Sequence, residues 1–145
     1  MIINYKNYSP KIASNTFITN KNLYSLLLKN EKDSLYLFLG ILNCKLISRL
    51  YLEQVSQATK DDFPQVTIKD ILGLPMPAIE PKEAENISSF AFQMLDSKKQ
   101  LASAITDSDK NFLQNKCNSL DRQIDKLVYE LYNLTDEEKD IIENS

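Results

Sequence analysis

The spacing of hydrophobic and polar residues predicts strands first and helices afterwards. Residues 12–19 and 23–29 are rich in β-branched, aromatic and aliphatic side chains and predict a β-hairpin. The apolar pattern of residues 33–57 predicts one long helix with Asp33 as its N-cap. Because the first two turns of this helix are apolar nearly all round, we expect it to be buried on several sides. Gly40 inside it predicts the close approach of a neighbouring backbone or bulky side chain.

Residues 63–77, with the sequence FPQVTIKDILGLPMP, predict a change of local structure. Residues 66–68 favour a short strand, and a single helical turn follows. Pro75 and Pro77 then hold the chain extended, because proline disfavours helix at the residue before it. Pro81 suits the first turn of a new helix, which we expect to continue to about residue 106.

A heptad seam marks the helix after that one. Its apolar residues are separated by alternating steps of four and three: Leu113, Cys117, Leu120, Ile124, Leu127, Leu131 and Leu134. The preceding seam (87, 94, 101) reaches only polar residues when it is extended by sevens, so the register breaks. We therefore expect two helices folded back on each other. Thr135 and Glu138 form a capping-box pattern and predict a short, acidic last helix.

These elements predict an α+β fold. In it, a small β-sheet packs on the long buried helix, and an antiparallel helical hairpin follows. We divide the chain at residue 80, with one unit in residues 1–80 and a helical unit in residues 81–145.

Composition excludes several classes of protein. The 145 residues fit one domain, and no apolar run reaches the roughly 18 residues that span a bilayer. The N-terminus lacks the apolar core of a signal peptide, so we expect a cytoplasmic protein with reduced cysteines. The sequence has no histidine and only two distant glycines, which excludes a Cys/His zinc site, a Ser-His-Asp triad and a glycine-rich phosphate loop. We expect no cofactor, no bound metal and no catalysis by this chain.

Charge is distributed unevenly along the chain. Residues 1–60 carry eight Lys/Arg and three Asp/Glu, a net +5, whereas residues 61–145 carry nine and seventeen, a net −8. A polyanionic partner would therefore meet the N-terminal part. Lysine and arginine neutralise phosphates, and glutamine can pair with adenine edges in the major groove. The residues that we expect to contact DNA are Lys45, Arg49, Gln54, Gln57, Lys60 and Gln65.

The heptad seam leaves a second reading open. It either forms the core of the helical hairpin or is shared with another subunit as a homodimer contact. In the second case the chain is a protein–protein interaction module that never touches DNA. The residues that would form that interface are Leu113, Leu120, Ile124, Leu127 and Leu131.

Three segments resemble a known family. They are LGILNCKL (39–46), the segment 63–77 quoted above, and QIDKLVYELYNLTDEEKDIIE (123–143). In this order they are similar to the C-terminal target-recognition domains of fused type II restriction-modification methyltransferases, including the Taq-type specificity domain. They are also similar to type I specificity subunits. In the first segment the family commonly has serine where this chain has Cys44.

The resemblance implies sequence-specific binding of double-stranded DNA. It also implies a helical spacer that docks on a methyltransferase or endonuclease module, in cis or in trans, with the methyltransferase acting on adenine. The Asn-Pro-Pro-Tyr motif and the cofactor-binding glycines of such a methyltransferase are absent from this sequence. We therefore expect a non-catalytic recognition module without a membrane partner.

Overall fold

The computed structural model of the chain describes residues 2–4, 10–11, 23–28, 34–56 and 67–144. Most of them lie in helices. The strands are β1 (Ile2–Asn4), β2 (Pro10–Lys11) and β3 (Leu23–Ser25), and the helices are α1 (Leu35–Asn43), α2 (Lys45–Ser56), α3 (Ile68–Leu72), α4 (Pro81–Ser103), α5 (Asp107–Leu131) and α6 (Asp136–Glu143).

The predicted α+β fold is wrong, because the described part of the chain is mostly helical. Each strand has only two or three residues, and the three lie antiparallel in the order β2-β1-β3. The buried residues of the described core lie in the helices and in the turns beside them. The first strand of the predicted hairpin, residues 12–19, lies outside the described residues, so the hairpin stays a prediction; within its second strand, β3 pairs with β1.

The predicted single helix of residues 33–57 is two helices, α1 and α2, with a bend of 62° between them. The break lies at Cys44, whose ψ of 157° is extended. The Cys44 N–H donates to the carbonyl of Ile41, and its own carbonyl accepts from Ser48 at the start of α2. The N-cap of α1 is Ser34, one residue after the predicted N-cap, Asp33. The Ser34 hydroxyl accepts from the N–H of Leu37.

The prediction of an antiparallel helical hairpin is confirmed by α4 and α5, which pack side by side and are joined by three residues. Pro81 is the first residue of α4. Thr106 caps α5, and its hydroxyl accepts from the N–H of Asp109. The predicted capping box of the last helix is also present, with Thr135 and Glu138 bonded reciprocally.

One hydrophobic core spans both sides of residue 80. It contains Ile41 and Ile47 from the first side and Ile87, Ile124 and Val128 from the second. A shared core does not show where one unit ends and the next begins, so the division at residue 80 stays a prediction.

Gly40, which has no Cβ, lies where α1 meets α4. A Cβ built at Gly40 would lie 2.8 Å from Cγ2 of Ile87, well inside ordinary contact distance. The predicted close approach of a bulky side chain is confirmed.

The strand predicted at residues 66–68 is wrong in its described part, because Ile68 begins α3 and Thr67 is its N-cap. The side chain of Asp70 completes a capping box with Thr67, which favours a helical turn over a strand. The predicted single helical turn is thereby confirmed.

In the described ranges no single helix is long and apolar enough to cross a membrane, and only the bent pair α1–α2 passes that test of length and composition.

Candidate nucleic-acid interface

The candidate interface begins at the N-terminus of α2, immediately after the break at Cys44. Two groups cap this end of the helix. The thiol of Cys44 accepts from the N–H of Ile47 at 3.5 Å, and a carboxylate oxygen of Asp125 accepts from the N–H of Lys45 at 2.8 Å. Asp125 lies in α5, 80 positions away, so this contact fixes α2 to the helical hairpin.

Lys45 and Arg49 lie one turn apart on α2, and both contact α6. The ammonium group of Lys45 pairs with the carboxylate of Glu143. The guanidinium group of Arg49 donates to the carbonyl of Ile141 at 2.8 Å and to the carboxylate of Glu53 at 2.8 Å. The side chains of Lys45 and Arg49 remain 44% and 30% exposed, so both cations are open to solvent.

The end of α6 is held in place from α5. The hydroxyl of Tyr129 donates to the second carboxylate oxygen of Glu143 at 2.8 Å, and Ile142 is buried in the core. The hydrogen bonds from Lys45 and Tyr129 lower the pKa of Glu143, and the bond to Glu143 raises the pKa of Lys45. The pair is therefore ionised at neutral pH.

A left-handed residue directs α6 back towards α2. Asn133, with φ of 53°, follows the end of α5, and the N–H of Leu134 donates to the carbonyl of Tyr129. This is the Schellman arrangement, in which asparagine tolerates the left-handed angles. The fixed turn determines which face of α2 the acidic helix meets.

Asp125 and Cys44 are buried beside these ion pairs. Burial raises the pKa of the Asp125 carboxyl to about 6, and Asp121 raises it further while the hydrogen bond from Lys45 opposes the shift. The second oxygen of Asp125 has no hydrogen-bond partner among the described residues. Burial also raises the pKa of the Cys44 thiol to about 12, so it is protonated at neutral pH and is not a nucleophile.

The predicted DNA-contact residues have different positions in the structure. Lys45 and Arg49 lie together at the start of α2. Gln54 lies in the last turn of α2, nine residues beyond Lys45, so its Cα is about half a turn around the helix from that of Lys45. Gln57, Lys60 and Gln65 lie outside the described residues. Their roles in DNA contact stay predictions.

The residues of the predicted protein interface lie inside this chain. Four of them are buried, namely Leu113, Leu120, Ile124 and Leu131. The fifth, Leu127, is partly buried against the hydrophobic core. The seam thus packs against the chain's own helices, and nothing in this arrangement supports assembly through the heptad seam. A homodimer contact at these residues stays a prediction.

An open depression of about 380 Å³ lies beside the α2–α6 contact, between α5 and α6. Its lining mixes both signs of charge: Arg122, Asp125, Lys126, Tyr129, Glu130, Lys139 and Glu143. In the part of the chain that the structure describes, no three Cys, Asp or Glu residues lie close enough together to hold a metal ion.

Sequence reasoning did not identify Asp125, Tyr129 and Glu143 as functional candidates. All three lie in the segment 123–143, which carries part of the family resemblance and part of the heptad seam but which we assigned no contact with DNA. One signal was present: Asp125 directly follows a seam residue, Ile124, and borders the buried face of α5. A carboxylate in that position needs a hydrogen-bond donor, and the N–H of Lys45 supplies it.

Comparison with known proteins confirms the resemblance. Residues 5–76 match the family profile described as the TaqI-like C-terminal specificity domain. A protein of Methanocaldococcus jannaschii, named as a candidate type II restriction enzyme and methyltransferase, is 34% identical over 116 residues. That alignment covers 79% of this chain but only 9% of the relative. No solved structure matches the chain significantly. Residues 5–76 are therefore similar in sequence to the TaqI-like C-terminal specificity domain.

Proposed function

We propose that the chain is a sequence-specific, DNA-binding target-recognition module of a restriction-modification enzyme. The observation that carries this proposal is the match of residues 5–76 to a specificity-domain family. Catalysis belongs to another module, a methyltransferase or endonuclease in cis or in trans. The candidate modified base is adenine, as the resemblance implies.

The cations of α2 are the first contacts with DNA in this proposal. Lys45 and Arg49 bind phosphates and set the register of the protein on the duplex, and Lys60 adds a third phosphate contact. Lys45 and Arg49 are one helical turn apart and remain partly exposed. Their ionic partners are also solvent-exposed, and such surface pairs contribute at most about 1 kcal/mol. A phosphate is therefore able to replace them.

Base recognition is assigned to the glutamines that follow. Gln54 lies at the end of α2, and Gln57 and Gln65 come after it in the sequence. Glutamine offers both a donor and an acceptor and can bind adenine through two hydrogen bonds. Truncating a base-reading glutamine to alanine should relax the preference at one position of the target by about 1–3 kcal/mol.

The experiment that tests the phosphate contacts replaces three cations together. The triple variant Lys45→Gln, Arg49→Gln, Lys60→Gln removes three positive charges from the proposed interface. Because each lost phosphate contact reduces the release of counterions, the plot of log affinity against log salt should flatten by about 3. Fluorescence anisotropy with a labelled duplex measures this slope.

The matched control removes the same number of charges elsewhere. Lys82, Lys98 and Lys116 are exposed residues of α4 and α5, and their replacement by glutamine gives the same change in net charge. We expect the control to keep the wild-type slope within about 1. Equal flattening in both variants would show that net charge alone is responsible and would contradict the assignment of Lys45, Arg49 and Lys60.

A further inference from the structure

The acidic helix α6 contacts Lys45 and Arg49, the two cations to which we assign contacts with DNA phosphates. Glu143 pairs with Lys45, and the carbonyl of Ile141 accepts from Arg49. The Glu143 carboxylate is negatively charged, and the last carbonyls of a helix carry a partial negative charge. Each contact therefore places negative charge against a cation, as a phosphate would. Helix α6 has five acidic residues and one lysine, which makes its net charge −4.

The α2–α6 contact is fixed by the fold. Ile142, between the two contact residues, is buried in the core, and Tyr129 holds Glu143 from the other side. The Schellman turn at Asn133 sets the direction of α6. An exposed acidic helix without these anchors would sample many positions, whereas this one holds a carboxylate at Lys45.

We propose that α6 is an internal competitor of DNA, which must displace Glu143 and the Ile141 carbonyl to reach Lys45 and Arg49. This inference rests on the proposed function, since it concerns the same two cations. The consequence is a lower intrinsic DNA affinity, which removal of the competing carboxylate relieves. A partner module that binds α6 would raise DNA affinity in the same way.

The test compares two isosteric changes in α6 in the complete chain. Glu143→Gln removes the charge opposite Lys45 and keeps an oxygen that can accept from Tyr129. Glu137→Gln is the matched control, because it removes one negative charge from an exposed position of the same helix. An exposed ion pair contributes up to about 1 kcal/mol, so Glu143→Gln should strengthen DNA binding by about twofold to fivefold at about 50 mM salt, and clearly more than Glu137→Gln.

A second pair of measurements makes the inference specific to the contact. In a chain that already carries Lys45→Gln and Arg49→Gln, Glu143→Gln should improve DNA binding no more than Glu137→Gln does. Equal gains from both α6 variants in the wild-type chain would overturn the inference, because bulk charge would then explain them. DNA binding that depends on Lys45 and Arg49 but is unchanged by Glu143→Gln would overturn it and leave the proposed function standing. No DNA binding by any variant would overturn both.

Discussion

Replacement of Gly40 by alanine tests the packing of α1 on α4. A methyl group at this position would lie 2.8 Å from Cγ2 of Ile87, whereas carbon atoms in good contact are about 3.5–4.0 Å apart. Ile87 is 1% exposed and cannot move into solvent. Overpacking of this kind lowers the free energy of unfolding by about 1–3 kcal/mol. Alanine in place of glycine inside a helix raises it by up to about 1 kcal/mol, because alanine has the higher helix propensity. We expect a net loss of about 1 kcal/mol.

Urea unfolding followed by circular dichroism measures this loss, and thermal unfolding should show a decrease of about 2–4 °C in Tm. Gly73→Ala is the control, because a Cβ there would lie 3.3 Å from the Lys69 carbonyl and meets no side chain of another helix. We expect this control to change stability by less than about 0.5 kcal/mol.

A double variant shows whether Ile87 is the cause. Ile87→Leu removes the branch at Cβ and lets the side chain vacate the position of Cγ2 at a cost below about 1.5 kcal/mol. In that background Gly40→Ala should be neutral or stabilising, with a coupling energy of about 1 kcal/mol or more. If Gly40→Ala alone leaves the free energy of unfolding unchanged or raises it, the close packing of α1 on α4 is refuted.

Two further predictions concern the capping groups of α2. Cys44→Ser replaces a weak acceptor for the N–H of Ile47 by a good one, so the serine variant should be more stable than Cys44→Ala by about 1 kcal/mol in urea unfolding; equal stability would contradict a capping role. The folded-state pKa of Asp125, about 6, lies above its unfolded value of about 3.9, so the folded chain binds this proton more tightly and loses stability as pH rises through that window. The free energy of unfolding of the wild type, measured relative to that of Asp125→Asn, should therefore fall by up to about 3 kcal/mol between about pH 4 and pH 6. If the difference between the two proteins does not change with pH, the burial of the Asp125 carboxyl is contradicted.

The helical hairpin was predictable because its signals are local. Proline at the first position of α4, the broken heptad register and the Thr135–Glu138 capping box all act within a few residues. Local signals of this kind need no knowledge of the rest of the chain. The same reasoning explains why α6 was predicted with the correct N-cap.

The break between α1 and α2 was not predictable from the apolar pattern. That pattern continues through Cys44 without a proline or glycine at the break. The N–H of Lys45 bonds to Asp125, so a tertiary contact with a residue far along the chain helps to end one helix and begin the next. The α+β prediction failed because the described residues lie mostly in helices, and the buried residues of their core lie in those helices and the turns beside them.

The candidate interface was predictable only in its charge. The excess of cations in the first 60 residues identified Lys45 and Arg49, but their pairing with Glu143 and Ile141 joins positions more than 90 residues apart. No periodicity in a sequence gives such a pair. The resemblance to specificity domains was predictable from three short segments, and the family match confirms it.

Selection of bound sequences from a random duplex library by the wild-type chain tests the central claim most directly. The library is incubated with the protein at about 50 and 200 mM salt, and the bound duplexes are sequenced. The account predicts enrichment of one short motif, with weaker total binding at the higher salt. Binding without enrichment, or no binding at the lower salt, would contradict target recognition by this chain.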